Sequence, residues 1–292
     1  MKQMLLKARN GLVASAMVGL LMAGWSVSAS DQTCTTTNWS SSVGLEDGVS
    51  DATGNVGTPP SFRRYAGPCG LRVPMDGTPR YLVDESPIAE TSYIARFYVF
   101  LGAAASETVT LFEALDAANN PRLRVTYTAS DITLDVFSNG ADQTIEFTEL
   151  TNGWHSVELS WSQAAAAEVS FSLNGGTPSV VTVDTSGLSI DEARLGNING
   201  ATLAQTTAID FDDFDSRRST FPGRLCRGLT NESRSSLDFD DVLAIFGEVA
   251  SGGGNAAGGQ PDFDENGEID FDDVLGVFGR IAAGNDACAV NS

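Results

Sequence analysis

The sequence predicts a mainly β protein: an antiparallel jelly-roll sandwich followed by a small C-terminal α-helical module. Three observations carry this. From Tyr81 to Phe214 apolar and polar residues alternate almost throughout with a period of two, which is the pattern of half-buried strands. After Ser216 the period turns helical, and a thirteen-residue segment is repeated. A loop with acidic residues at alternate positions precedes the second copy.

The N-terminus reads as a targeting segment and not as fold. Lys2, Lys7 and Arg9 form a basic start, Gly11 to Gly24 is too short an apolar stretch to span a bilayer, and Val27-Ser28-Ala29 supplies small residues for cleavage after Ala29. Residues 1–29 are therefore expected to be a signal peptide, leaving a secreted, extracellular or cell-surface protein without a membrane span. In that setting Cys34, Cys69, Cys226 and Cys288 are disulfide candidates. Four cysteines allow three connectivities, of which pairing each neighbouring couple is the simplest.

Across the 292 residues the formal net charge is −21, with 42% hydrophobic and 19% charged residues. That composition excludes a disordered chain and a basic nucleic-acid binder, and the acidity suits cation binding. The 17 basic residues include three in the signal, and the 38 acidic residues include none there, so the mature charge is 14 − 38 = −24. Both lysines fall in the signal. Schiff-base and lysine-base chemistry are thereby unavailable to the mature chain.

The sandwich is expected over residues 31–216. Leu123, Val125 and Tyr127 alternate with Arg124, Thr126 and Thr128, and Ile132, Leu134 and Val136 with Thr133 and Asp135. Val157, Leu159 and Trp161 share a face, as do Val169, Phe171 and Leu173, and Asn174-Gly175-Gly176 supplies the positive φ angles of a hairpin turn. Asp47 to Pro60, rich in Gly, Pro and small polar residues, reads as loop. Residues 217–225 read as a linker and 226–292 as the C-terminal module.

Residues 237–249 and 269–281 are identical at eight of thirteen positions, the mark of a duplicated unit. Phe239, Val242, Leu243 and Phe246 fall at i, i+3, i+4 and i+7, as do Phe271, Val274, Leu275 and Phe278. Each set is expected to form one apolar helix face, the two packing together across a flexible bridge at residues 251–260.

Counting from Asp262, oxygen ligands fall at Asp262, Asp264 and Asn266, then Gly267, the carbonyl of Glu268, Asp270 and Asp273. This is the spacing of a twelve-residue calcium loop, in which alternate side chains converge because a glycine permits the sharp turn midway. The same register in the first copy gives Thr230, Glu232, Arg234, Ser236, Asp238 and Asp241, with Arg234 at a ligand position and Ser235 in place of the glycine. One Ca²⁺ is expected.

A pair of such loop-helix units resembles a type I dockerin module, and the resemblance covers residues 226–288. It implies tethering to a cohesin-like domain. The stretch Asn152-Gly153-Trp154-His155-Ser156-Val157, the segment 169–176 and the late strand 208–218 resemble laminin G-like and concanavalin A-like jelly rolls. That resemblance implies a glycan or cell-surface protein as partner.

His155, the one histidine, shares the face of Val157 and Leu159 and is expected in the core; a zinc site with two or three histidines is excluded by count. No Gly-x-Ser-x-Gly elbow accompanies it. The Glu-x-Asp-x-x-Glu pattern of jelly-roll glucanases is absent, and alternation places Asp210 and Asp212 on one sheet face with Asp213 and Asp215 on the other. Trp154, Phe137 and Tyr98 fall on the outward phase of their strands as candidates for stacking on sugars. The expectation is a secreted, non-catalytic binding or adhesion protein attached through a calcium-dependent docking module. The alternatives are a dockerin-bearing glycoside hydrolase or lyase and a structural surface or matrix component.

Overall fold

The computed structural model describes residues 35–36, 38–45, 56–57, 63–66, 69–102, 105–203, 207–230, 236–250, 260–264 and 268–285. The chain divides into two compact units, Met1–Gln32 and Thr33–Ser292, and every described residue belongs to the second. The expected signal peptide, Cys34, Cys288, Arg234 and Asn266 lie outside the described residues.

Strands follow one another as β1 (Ser41–Val43), β2 (Val56–Gly57), β3 (Gly70–Pro74), β4 (Arg80–Asp84), β5 (Ser92–Leu101), β6 (Ala105–Leu115) and β7 (Pro121–Ala129). They continue as β8 (Asp131–Val136), β9 (Gln143–Phe147), β10 (Gly153–Ser162), β11 (Ala167–Leu173), β12 (Ser179–Val183), β13 (Glu192–Asn197) and β14 (Ala208–Arg217). Two helices close the described chain, α1 (Phe239–Ala250) and α2 (Phe271–Ala282). Within the stretch read as loop, Val56 and Gly57 pair with Leu71 and Gly70.

The strands form two seven-stranded sheets, ordered β1-β4-β13-β6-β7-β8-β9 and β12-β11-β10-β5-β14-β3-β2. Their pairings are antiparallel, and the mainly β sandwich with a small helical part is the fold the alternation predicts. The inward residues of the two sheets meet in one core: Phe97 of β5 stacks on Phe112 of β6 at 5.8 Å, and Phe147 of β9 meets Phe171 of β11 at 5.4 Å. The alternating sets on β7, β8 and β10 are all buried in that core. Between β11 and β12, Asn174 and Gly175 take φ of 54° and 68°. The Gly176 N–H donates to the Leu173 carbonyl at 2.9 Å, closing the hairpin turn.

The helices pack together, but not on the expected face. Val242, Ile245, Val274 and Val277 are buried with Leu229, Leu237 and Ile269. Phe239, Leu243 and Phe246 are 48–55% exposed, and so are their counterparts Phe271, Leu275 and Phe278 at 49–52%. Each helix carries two apolar stripes, and a single helix-helix contact covers one of them. No helix among the described residues is long and apolar enough to cross a membrane.

Phe97 is fully buried between Phe112 and Phe211. Phe97→Ala is expected to cost about 3–5 kcal/mol of stability, measured by denaturant unfolding.

Candidate functional site

The acidic loop is organised around Asp273. Asp270 caps α2: its side chain accepts the Asp272 N–H at 2.7 Å while its own N–H donates to Asp273 Oδ2 at 2.8 Å, a capping box. Asp273 Oδ1 accepts the N–H groups of Phe263 at 2.6 Å and Asp264 at 3.3 Å. This fully buried carboxylate thus joins the loop's entry to the helix start.

Asp262, Asp264 and Asp273 each bring a carboxylate oxygen within 4.8 Å of the others. Oxygens on either side of a calcium ion, each about 2.3–2.6 Å from it, stand at most about 5 Å apart. The three carboxylates therefore fit a hard divalent cation, whose charge would offset their mutual repulsion. Of the remaining residues in the loop register, Asp270 is engaged as the cap and Glu268 is exposed.

The first repeat builds the same corner with a different occupant. Asp241 is fully buried; its Oδ2 accepts the Asp238 N–H at 2.9 Å, and its Oδ1 accepts both the N–H and the hydroxyl of Thr230 at 2.8 Å. Thr230 stands where the second repeat has Asp262. A hydroxyl donor there satisfies one oxygen of the buried carboxylate internally.

The aromatic candidates do not form one site. Tyr98 is 1% exposed, stacked on Tyr65 with centroids 3.7 Å apart, and its hydroxyl accepts the Leu225 N–H at 2.8 Å. Trp154 is half-buried with its edge toward Tyr65 and Phe100. These rings point away from the sandwich core, as alternation requires, but a third layer made of Arg63–Ala66 and residues 221–226 covers them. Phe137 follows the end of β8 in the other sheet, half-buried beneath the Arg124 guanidinium at 5.3 Å. His155 is 4% exposed and hydrogen-bonded through both nitrogens, to the Thr151 carbonyl at 2.8 Å and the Asn174 amide at 3.1 Å. The amide donates to Nδ1, so Nε2 carries the proton.

The acid-rich strand departs from simple alternation. A bulge between Asp212 and Asp215, with Asp213 at φ 47°, shifts the phase of β14. Asp213 consequently pairs with Arg96 at 2.5 Å on the same outer face as Asp210 and Asp212, while Phe214 packs on the core. Asp210 binds Arg72 at 2.8 Å and Arg63 at 3.3 Å. Glu158 accepts the Gly223 N–H at 2.6 Å, and Arg96 donates to the Gly223 carbonyl at 2.9 Å. Burial pushes the Glu158 and Asp213 carboxyls above the usual range, against Gly223 and Arg96 which pull them down.

Asp212, half-buried, holds the covering segment by its backbone. Its Oδ2 accepts the N–H groups of Tyr65 at 2.6 Å and Ala66 at 2.9 Å. Burial nevertheless outweighs these bonds and pushes the carboxyl up to about 7, with Asp213 adding to the rise.

No protein-family model matches the chain, and no curated protein matches it. Solved structures similar to it include the receptor-binding domain of botulinum neurotoxin type G, at 12% identity and TM-score 0.40, covering 61% of this chain and 44% of that one. An endo-β-1,4-glucuronan lyase from the fungus Trichoderma reesei is similar at 10% identity and TM-score 0.47, covering 64% and 94%. The binding domain of botulinum neurotoxin serotype D is similar at 11% identity and TM-score 0.44, covering 66% and 46%. The chain spans less than half the length of both neurotoxin domains.

A carboxyl held at about 7 in the fold, against 3.8 unperturbed, favours the folded state at low pH. That contribution is complete below about pH 4 and is lost as pH rises through about 7. Asp212→Asn removes the titrating group, and the decline in melting temperature between pH 4 and pH 8 is expected to flatten in this variant.

Proposed function

We propose that the chain is a secreted, non-catalytic binding protein whose sandwich engages a glycan or surface ligand and whose duplicated helical module tethers it to a protein partner in a calcium-dependent manner. The observation that carries this reading is the helical module itself. It combines one converging acid triad with six large apolar side chains left half-exposed on two repeat-related helix faces. Exposed apolar patches of this kind, rimmed by polar residues, are features of interaction surfaces.

Gly247 and Gly279 support the same reading. They occupy equivalent positions beside Phe246 and Phe278, and a Cβ at either would meet nothing within 4 Å. Internal packing does not call for glycine there, and mid-helix glycine costs about 1 kcal/mol relative to alanine. A surface that approaches the helix backbone closely accounts for both. A cohesin-like domain is the partner that the dockerin resemblance suggests.

In this reading one Ca²⁺ sits among Asp262, Asp264 and Asp273, with Asn266, the Glu268 carbonyl and Asp270, directly or through water, completing the loop. The ion neutralises the triad and fixes the loop against α2. Secretion would place the cysteines in an oxidising compartment. Cys69 and Cys226 are not free thiols, which suits the pairings Cys34–Cys69 and Cys226–Cys288. The binding reading is preferred over a hydrolytic one because Asp210, Asp212 and Asp213 are committed to arginines and backbone N–H groups.

Calcium is expected to raise the melting temperature of the C-terminal module, and Asp262→Ala or Asp273→Ala to abolish that increase. Thermal unfolding in calcium and in chelator checks this. An increase that survives both substitutions would remove the metal site and with it the calcium-dependent tether. Asp241→Ala, in contrast, is expected to lower stability equally with and without calcium.

A further inference from the structure

A cavity of about 430 Å³ opens at one end of the sandwich, between β3 and β14 of one sheet and β4 and β13 of the other. Its size is that of a small-ligand pocket. The floor is core: Leu71, Leu82, Leu195 and Phe211 line it. Trp39, half-buried, closes one side and packs against Phe214 with ring centroids 4.8 Å apart.

The walls break the rule that built the rest of the sandwich. Residues facing inward between two packed sheets are apolar nearly everywhere here, as sandwiches require. Asp84 follows the inward Leu82 by two residues on β4, and Ser216 follows Phe214 by two on β14 after the bulge has reset the phase. Both therefore point between the sheets, and both line the cavity. Asp84 has no arginine partner among the described residues; one oxygen accepts the Ser86 N–H at 2.8 Å, which leaves the other free to accept from a ligand. Tyr93, fully buried beneath, has a hydroxyl without a well-formed hydrogen bond. Asp84 and Ser216 are among the groups acting on it.

An aromatic ring, an apolar floor, a carboxylate and hydroxyl groups in one cleft are the complement of a pyranose, which offers an apolar C–H face and a ring of hydroxyls. The Asp84 carboxylate disfavours an anionic ligand. We infer that this inter-sheet cavity binds a neutral sugar residue, with Trp39 against the ring face and Asp84 accepting its hydroxyls. The inference rests on the glycan reading above and gives it a site distinct from Trp154, Tyr98 and Phe137.

The test uses the full mature chain with a panel of neutral methyl hexosides and glucuronic acid, read by calorimetry and by intrinsic tryptophan fluorescence. A neutral hexoside is expected to bind more tightly than glucuronic acid. Trp39→Ala and Asp84→Asn are each expected to weaken neutral binding at least tenfold while Phe137→Ala leaves it unchanged. Asp84→Asn is close in shape and should also narrow the gap between neutral and acidic sugars, which keeps the test decisive if Trp39→Ala fails to fold. Neutral binding unchanged by Asp84→Asn and by a folded Trp39→Ala would overturn the cavity site and leave the glycan reading standing. Absence of binding to every sugar by the folded wild type would overturn both.

Discussion

The arrangement depends on a burial that a two-layer sandwich does not ordinarily make. The outer face of β5, β10 and β14 is covered by two extended segments, and extended backbone brings N–H and carbonyl groups that must be satisfied once water is gone. The sheet meets that demand with charged and polar side chains. Arg96 and Glu158 take the carbonyl and N–H of Gly223, Tyr98 takes the Leu225 N–H, and Asp212 takes those of Tyr65 and Ala66. Carboxylates placed this deep resist ionisation, which is why Asp212, Asp213 and Glu158 all shift upward. Holding backbone and keeping charge out of the interior are opposed requirements, and the upward shifts show that burial outweighs the bonds these groups make.

The same layer fixes the position of the acidic loop. The Tyr65 carbonyl accepts the Gln260 N–H at 2.6 Å, Gln260 donates its side-chain amide to the Cys226 carbonyl at 2.9 Å, and its own carbonyl accepts the Gly228 N–H at 2.7 Å. Arg64 and Glu248 add an ion pair at 2.8 Å from the covering segment to α1. Asp262 lies two residues beyond Gln260. The entrance of the acidic loop is therefore anchored on the sandwich, and the stretch read as a linker is itself hydrogen-bonded to the sheet at Gly223 and Leu225.

Most of the sandwich is legible in the sequence because alternation and turn chemistry are local. Val157, Leu159 and Trp161 face inward whatever the rest of the chain does, and Asn174-Gly175 can hardly avoid a tight turn. The errors arise where distant segments intervene. Tyr98 and Trp154 have the correct outward phase, yet a third layer covers them, and no periodicity announces that Tyr65 from earlier in the chain and Leu225 from later in it arrive on that face. The bulge at Asp213 puts a non-glycine residue in left-handed backbone, so no glycine marks it, and one inserted residue reverses the face of everything after it. The helix faces are a different failure. The sequence shows that Phe239, Leu243 and Phe246 are apolar, but whether such a stripe meets its neighbour or solvent depends on how the two helices rotate to bury Ile245 and Val277.

Charge links these features to the kind of molecule the chain can bind. Ten arginines form ion pairs within the described structure, including Arg72 with Asp210, Arg96 with Asp213 and Arg124 with Glu113. With 17 basic against 38 acidic residues in all, internal pairing consumes most of the positive charge and leaves the surplus negative. A field of one sign attracts cations and repels anions over roughly a Debye length, about 8–10 Å at physiological salt. Asp84 at the cavity and the triad at the acidic loop both lie within such a field. The loop concentrates charge where a divalent ion can neutralise it, whereas the cavity dilutes a single carboxylate among hydroxyls and apolar side chains. The same excess of acid thus underlies both proposed sites, the divalent ion at the loop and the neutral hydroxyl groups at the cleft, and disfavours anionic polymers near either.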